Sequence, residues 1–292
     1  MSLLLFATIQ IKGSTNDIMN PYIIVLGNEK GGTGKSTLSM HIIVSLLKQG
    51  HKVGSVDLDA RQGTLSRYIQ NRRDHLKREP KKALPLPIHY DLHQSCKDIV
   101  SESHAEDEKN FSEIMDILKH EKCDYIVIDT PGNNTYLSRI AHSYAQTLIT
   151  PINDSYIDLD MLVRVHGDND RDLRPSLYAQ TVWEQKKEKA QRDGGGIDWI
   201  VIRNRLSNLC SNNNAEIEKI LKSLAPRIGF RLISGFTERV IFKELFLQGG
   251  TLLDLIDVGM QMRLSHVAAR NELSILIQSI FSSQARYTQK VS

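Results

Sequence analysis

Residues 30–37 read Lys-Gly-Gly-Thr-Gly-Lys-Ser-Thr, and no other stretch restricts the fold so tightly. Glycines let successive backbone N–H groups turn inward on one anion, because no Cβ blocks the approach. Gly31, Gly32, Thr33, Gly34 and Thr37 would supply such a cradle. Lys35 stands where an ammonium reaches β- and γ-phosphates, and Ser36 presents a hydroxyl to Mg²⁺. The general phosphate-loop pattern has a glycine five residues before Gly34, where this chain has Glu29. A second lysine, Lys30, defines a deviant form of the loop. One subunit alone gains little from it, since Lys35 already neutralises the phosphates. The position makes sense if Lys30 points outward, to a nucleotide bound by a second copy.

A glycine-rich run by itself marks a turn, so the flanks decide. Before it, Tyr22-Ile-Ile-Val-Leu-Gly27 is an apolar run of buried-strand type. After it, Leu38, Ile42, Ile43, Leu46 and Leu47 recur at helical spacing, and Gly50 supplies a stop. Strand, loop and helix in that order place a phosphate at the positive end of a helix.

The remaining strand and helix signals alternate, which predicts an α/β fold with a doubly wound, mostly parallel sheet flanked by helices. Further strands are read at 51–56, at Tyr125-Ile-Val-Ile-Asp129, at 147–151 and at 199–202. Residues 111–120 read as a helix, and the charged stretch 160–196 as an exposed helical excursion. The expected division is an extension over 1–20, a single domain over 21–282 and a tail over 283–292. Ser2-Leu-Leu-Leu-Phe-Ala7 is too short to span a bilayer. Three scattered cysteines exclude a disulfide framework and fit a cytoplasmic protein, while a net charge of +3 neither demands nor excludes nucleic acid.

In open α/β sheets ligands bind beyond the carboxyl ends of the strands, and three aspartates are expected there. Asp129 has the form of a Walker B aspartate that holds Mg²⁺. Asp59, just past its strand, is placed to point at the γ-phosphate and position the attacking water. Asp57 is a further candidate for the metal. Asn204 follows the strand at 199–202, and its amide, both donor and acceptor, suits adenine.

These residues also carry a resemblance. The loop at 30–37, Asp57-Leu-Asp59, Asp129-Thr-Pro-Gly132 and Arg203-Asn-Arg205 resemble the ParA/MinD family of ATPases. Gly27-Asn-Glu-Lys30, Gln70-Asn-Arg-Arg73, Pro175-Ser-Leu-Tyr178 and 239–246 are similar to its MipZ branch, which positions the division plane. The resemblance implies ATP sandwiched in a homodimer, with Lys30 crossing to the partner's phosphates and Asp59 supporting slow hydrolysis. It also implies inhibition of a tubulin-like division protein, recruitment by a ParB-like centromere-binding protein, and nonspecific DNA binding by the dimer. A location at the nucleoid or the cell pole would follow. The rival within the family is a chromosome- or plasmid-partition ATPase; outside it, a nucleotide-controlled binding module with negligible hydrolysis.

Two groups of basic residues are candidates for DNA: Arg72, Arg73, Lys77, Arg78, Lys81 and Lys82, and then Lys219, Lys222, Arg227 and Arg231. His89, His93 and Cys96 have a zinc-like spacing but no fourth ligand, so no structural zinc is expected. The stretch 267–281 is amphipathic but has no Lys or Arg between Asn271 and Gln284, which favours packing on the domain over membrane anchoring.

Overall fold

The computed structural model describes residues 20–59, 62–153, 155–165, 173–204, 212–235 and 241–282. The first half of the domain runs β1 (Tyr22–Leu26), α1 (Lys35–Lys48), β2 (Val53–Asp57), α2 (Thr64–Arg78), β3 (Ile88–Asp91), α3 (Val100–His120) and β4 (Tyr125–Asp129). It continues with α4 (Tyr136–Tyr144), β5 (Thr147–Asn153), α5 (Tyr156–Leu159), β6 (Val163–Val165), β7 (Leu173–Pro175) and α6 (Leu177–Asp193). The last elements are β8 (Asp198–Asn204), α7 (Asn212–Ile228), β9 (Arg231–Ser234), α8 (Ile241–Gln248) and α9 (Leu264–Phe281).

Seven strands form one sheet in the order β3-β2-β4-β1-β5-β8-β9, and every pairing in it is parallel. The chain moves outward on one side of β1, returns through β4, then builds the other side from β5. The reversal leaves a crevice at the carboxyl end of β1, where the glycine-rich loop begins.

Alternation along the strands separates two cores. Ile23 and Val25 face one side with Ile126, Ile128, Trp199 and Val201, covered by α3, α4, α6 and α7. Ile24 and Leu26 face the other side with Val127, Ile149, Ile200 and Ile202, covered by α1, α2, α8 and α9. Burial on both faces explains why the strands read as continuous apolar runs instead of alternating ones.

The stretch 160–196 departs from the exposed excursion expected of it. It contains the antiparallel pair β6–β7, and α6 buries Tyr178, Ala179 and Val182 in the first core. Most of the charges of α6 lie on its outer face, with Lys189 buried. On the opposite face α9 buries Leu273, Leu276, Ile277 and Ile280. Among the described residues no helix is long and apolar enough to cross a membrane.

Candidate nucleotide-binding site

Gly34 caps α1 in the left-handed region, at φ +88°, and Gly32 has φ +73°. A side chain at Gly34 would be strained by the backbone alone, and its Cβ would stand 2.4 Å from Asn204 Nδ2. The first turn of α1 thus offers free backbone N–H groups and the positive end of its dipole to the crevice.

Lys35 is buried and folds back across the loop. Its Nζ donates to the carbonyls of Asn28 at 3.2 Å and Lys30 at 3.1 Å. Burial lowers its pKa, while Asp129 and Asp59 pull it back up. The three charges are thus close enough to act on one another.

Asp129 is fully buried at the end of β4. Ser39 Oγ donates to its Oδ1 at 3.1 Å, while Oδ2 has no partner among the described residues. Burial, reinforced by the like charge of Asp57, pushes its carboxyl up to about 7, with Ser36, Lys35 and Ser39 acting the other way. An orphaned buried carboxylate oxygen beside a serine hydroxyl is a donor set that suits a hard divalent cation. Ser36 and Asp129 therefore fit Mg²⁺.

Asp57 does not fit the metal role expected of it. Its Oδ1 accepts the Asp59 N–H at 2.9 Å, and its Oδ2 accepts the N–H and Oγ of Ser66 at 2.9 and 3.0 Å. Ser66 lies in the first turn of α2, whose preceding residue, Gly63, has no side chain to cap it. The Asp57 carboxylate supplies the cap from the strand end.

Asn204 is also placed differently from the adenine reader expected. Its Nδ2 donates to the Thr33 carbonyl at 2.8 Å, bracing the loop from β8. Lys30 does not point outward to a second copy. Its ammonium pairs with Asp158, a buried carboxylate in α5. Asp158 is itself held by the Asn153 N–H at 2.7 Å and by Ser155. A buried carboxylate is costly without a partner, and Lys30 is within reach.

Several contributors were given no role by the sequence reading. Asn28 ties the loop to the sheet, donating to the Pro151 carbonyl at 2.6 Å and accepting the Lys30 N–H at 2.7 Å. Tyr178, from α6, donates to the Gly27 carbonyl at 2.8 Å. On the far side Gly132 abuts the loop, since a Cβ there would stand 2.9 Å from the Gly31 nitrogen. Asn28 was legible as a polar residue between a buried strand and the glycines; Asp158 and Tyr178 had no spacing signal.

The family model of the ATPase MipZ matches residues 22–283. The chain belongs to the MipZ ATPase family. The chromosome-partitioning ATPase Soj of Thermus thermophilus is 27% identical over 143 residues, 47% of this chain and 57% of Soj. The match thus spans little more than half of that relative's length. Among solved structures, McdA of Cyanothece in complex with ATP superposes with a TM-score of 0.55 at 17% identity, covering 91% of this chain and 97% of McdA. The septum site-determining protein MinD of Pyrococcus horikoshii, complexed with Mg-ADP, follows at 0.53 and 18%, covering 87% and 94%. At such identities these two show a shared fold. The MipZ assignment also accounts for the reach of the match through α9, well beyond the glycine-rich loop.

The basic groups are rearranged by folding. Arg72 is fully buried in a bidentate pair with Asp254, at 2.7 and 3.1 Å, so it leaves the first group. Lys222 pairs with Glu218 and Arg231 with Asp198, both at 2.6 Å, which reduces the second.

Proposed function

We propose that this MipZ-family protein is an ATPase that dimerises on ATP and regulates placement of the division site by inhibiting tubulin-like division polymers. The observation that carries the reading is the convergence of Lys35, Ser36, Asp129 and Asp59 on the crevice above β1, with a second loop lysine, Lys30, beside them.

Loop amides and Lys35 bind the phosphates, Lys35 exchanging its two carbonyl partners for phosphate oxygens. Ser36 and Asp129 hold Mg²⁺, which when bound neutralises charge on the phosphates. Asp59 orders the attacking water. Lys30 leaves Asp158 and crosses to the nucleotide of a second copy. A lysine about 4 Å from a phosphate charge gains about 4 kcal/mol at an effective dielectric near 20. Two symmetric contacts can tip a weak interface toward the dimer, and loss of the γ-phosphate removes much of that attraction. Dimerisation doubles any DNA-facing patch, Arg73, Lys77 and Arg78 among its candidates, so nonspecific DNA binding would require ATP and weaken steeply with salt. A ParB-like protein would recruit the monomer.

The likeness to Soj favours a second reading, a chromosome-partition ATPase with the same cycle and different cargo. Pelleting of tubulin-like division polymers separates the two, using Asp59→Ala protein in ATP against an ADP control. Asp59→Ala should accumulate as a dimer and remove polymer only in ATP, while Lys30→Ala should bind ATP, stay monomeric and leave polymer intact. Unchanged polymer with dimeric Asp59→Ala would transfer the assignment to partition; monomeric Asp59→Ala in saturating ATP would sink the cycle itself.

A further inference from the structure

A hydrogen-bond chain that no part of the proposed cycle uses ends at the residue next but one to the water-ordering aspartate. Ser55 on β2 and His89 on β3 are register partners across the parallel pair. His89 Nδ1 lies 2.9 Å from Ser55 Oγ, and its Nε2 lies 3.0 Å from Ser66 Oγ in α2. Ser66 donates its only hydroxyl proton to Asp57 at 3.0 Å. It can therefore only accept from His89, which places the imidazole proton on Nε2 and makes Nδ1 the acceptor of the Ser55 hydroxyl. All the bonds then run one way, from Ser55 through His89 and Ser66 to Asp57, whose other oxygen holds the Asp59 N–H at 2.9 Å. Burial pushes the imidazole below its ordinary value, with Arg73 assisting and Asp57, Asp91 and the Ser55 backbone opposing.

Geometry makes the chain more than local packing. Asp57 has two tasks, to cap α2 through Ser66 and to hold the backbone of Asp59. Its carboxylate is thereby tied to the turn that carries Asp59. That turn is further closed by the Gln62 and Gly63 N–H groups on the Asp59 carbonyl, at 3.0 and 2.6 Å. We propose that His89 is a positioning residue for ATP hydrolysis, acting through Ser66 and Asp57 to set the aim of Asp59. The proposal rests on the reading of Asp59 as the water-ordering group.

The test uses the full chain with His89→Leu, His89→Gln and Ser66→Ala, each alone and combined with Asp59→Ala. Turnover is read from labelled ATP, affinity from a fluorescent ATP analogue, and folding from thermal melts. His89→Leu should keep nucleotide affinity while kcat falls about ten-fold, the scale expected when a reacting group is misaimed. His89→Gln, which keeps an N–H to offer Ser66, should recover most of the loss, and neither change should lower the residual rate of Asp59→Ala further. If His89→Leu fails to fold, Ser66→Ala carries the same expectation. Wild-type kcat in both His89→Leu and Ser66→Ala, or equal fold losses with and without Asp59, would overturn the proposal while leaving Asp59 in its role. Wild-type turnover by Asp59→Ala itself would remove that role, and the proposal with it.

Discussion

A carboxyl such as that of Asp129 makes the unliganded protein less stable at neutral pH, and the reason is electrostatic. Its pKa is raised from 3.8 to about 7 by burial and by Asp57, so the stability it contributes when protonated is lost as pH rises through that value. The shift is worth roughly 4 kcal/mol at pH 7. Asp129→Asn should therefore melt higher than wild type without nucleotide, by several degrees, while ATP turnover falls at least about 100-fold. A variant that melts lower would mean the carboxylate is already compensated in the unliganded protein. The loop lysines differ in the same currency. Lys35 is aimed by the helix that follows it, whereas Lys30 is held by a carboxylate 128 positions away that no local pattern reveals.

Among the elements, α5 holds Lys30 through Asp158, and this contact competes with any transfer of Lys30 to a second copy. The lysine side chain is 36% exposed, so solvent screening limits the pair to about 1 kcal/mol. Asp158→Asn should lower the ATP concentration needed for half-dimerisation roughly five-fold, read by sedimentation in an ATP titration. An unchanged midpoint would mean that Lys30 is not restrained by its own subunit. Most elements were legible because burial on both faces writes long apolar runs. The helix α2 was not, being strongly basic, and its buried stripe of Leu65, Tyr68, Ile69 and Arg72 includes an arginine made tolerable by Asp254 and by the carbonyls of Pro85 and Gly249. The element α6 was misjudged for a related reason: its charges outnumber the few buried residues that pin it.

For the whole molecule, pH sets opposing contributions against each other. His41 and His142 are buried and neutral, each lowered from 6.5 to about 4 chiefly by burial. His41 also donates to the Thr37 carbonyl at 2.8 Å and accepts the Leu252 N–H at 3.2 Å, and a second proton would break the latter bond. The stability such depressed histidines contribute is present above pH 6.5 and lost as pH falls toward 4. Asp129 works in reverse over part of that window. Between pH 7 and pH 5 Asp129→Asn, lacking the opposing group, should lose roughly 2 kcal/mol more unfolding free energy than the wild type. Urea titrations at the two pH values measure both; equal losses would show that Asp129 does not titrate in this range.

By itself the sequence determined the strand–loop–helix nucleus and the parallel α/β architecture, because both are written in contiguous residues. Tertiary structure decided the partners of the polar groups around that nucleus. It turned Asp57 into a helix cap, set Asn204 against Thr33, buried Arg72 and gave Lys30 to Asp158. Each of these outcomes satisfies a polar group that folding removes from water. Such a group takes whichever partner the packing brings within reach, and that partner leaves no trace in local spacing.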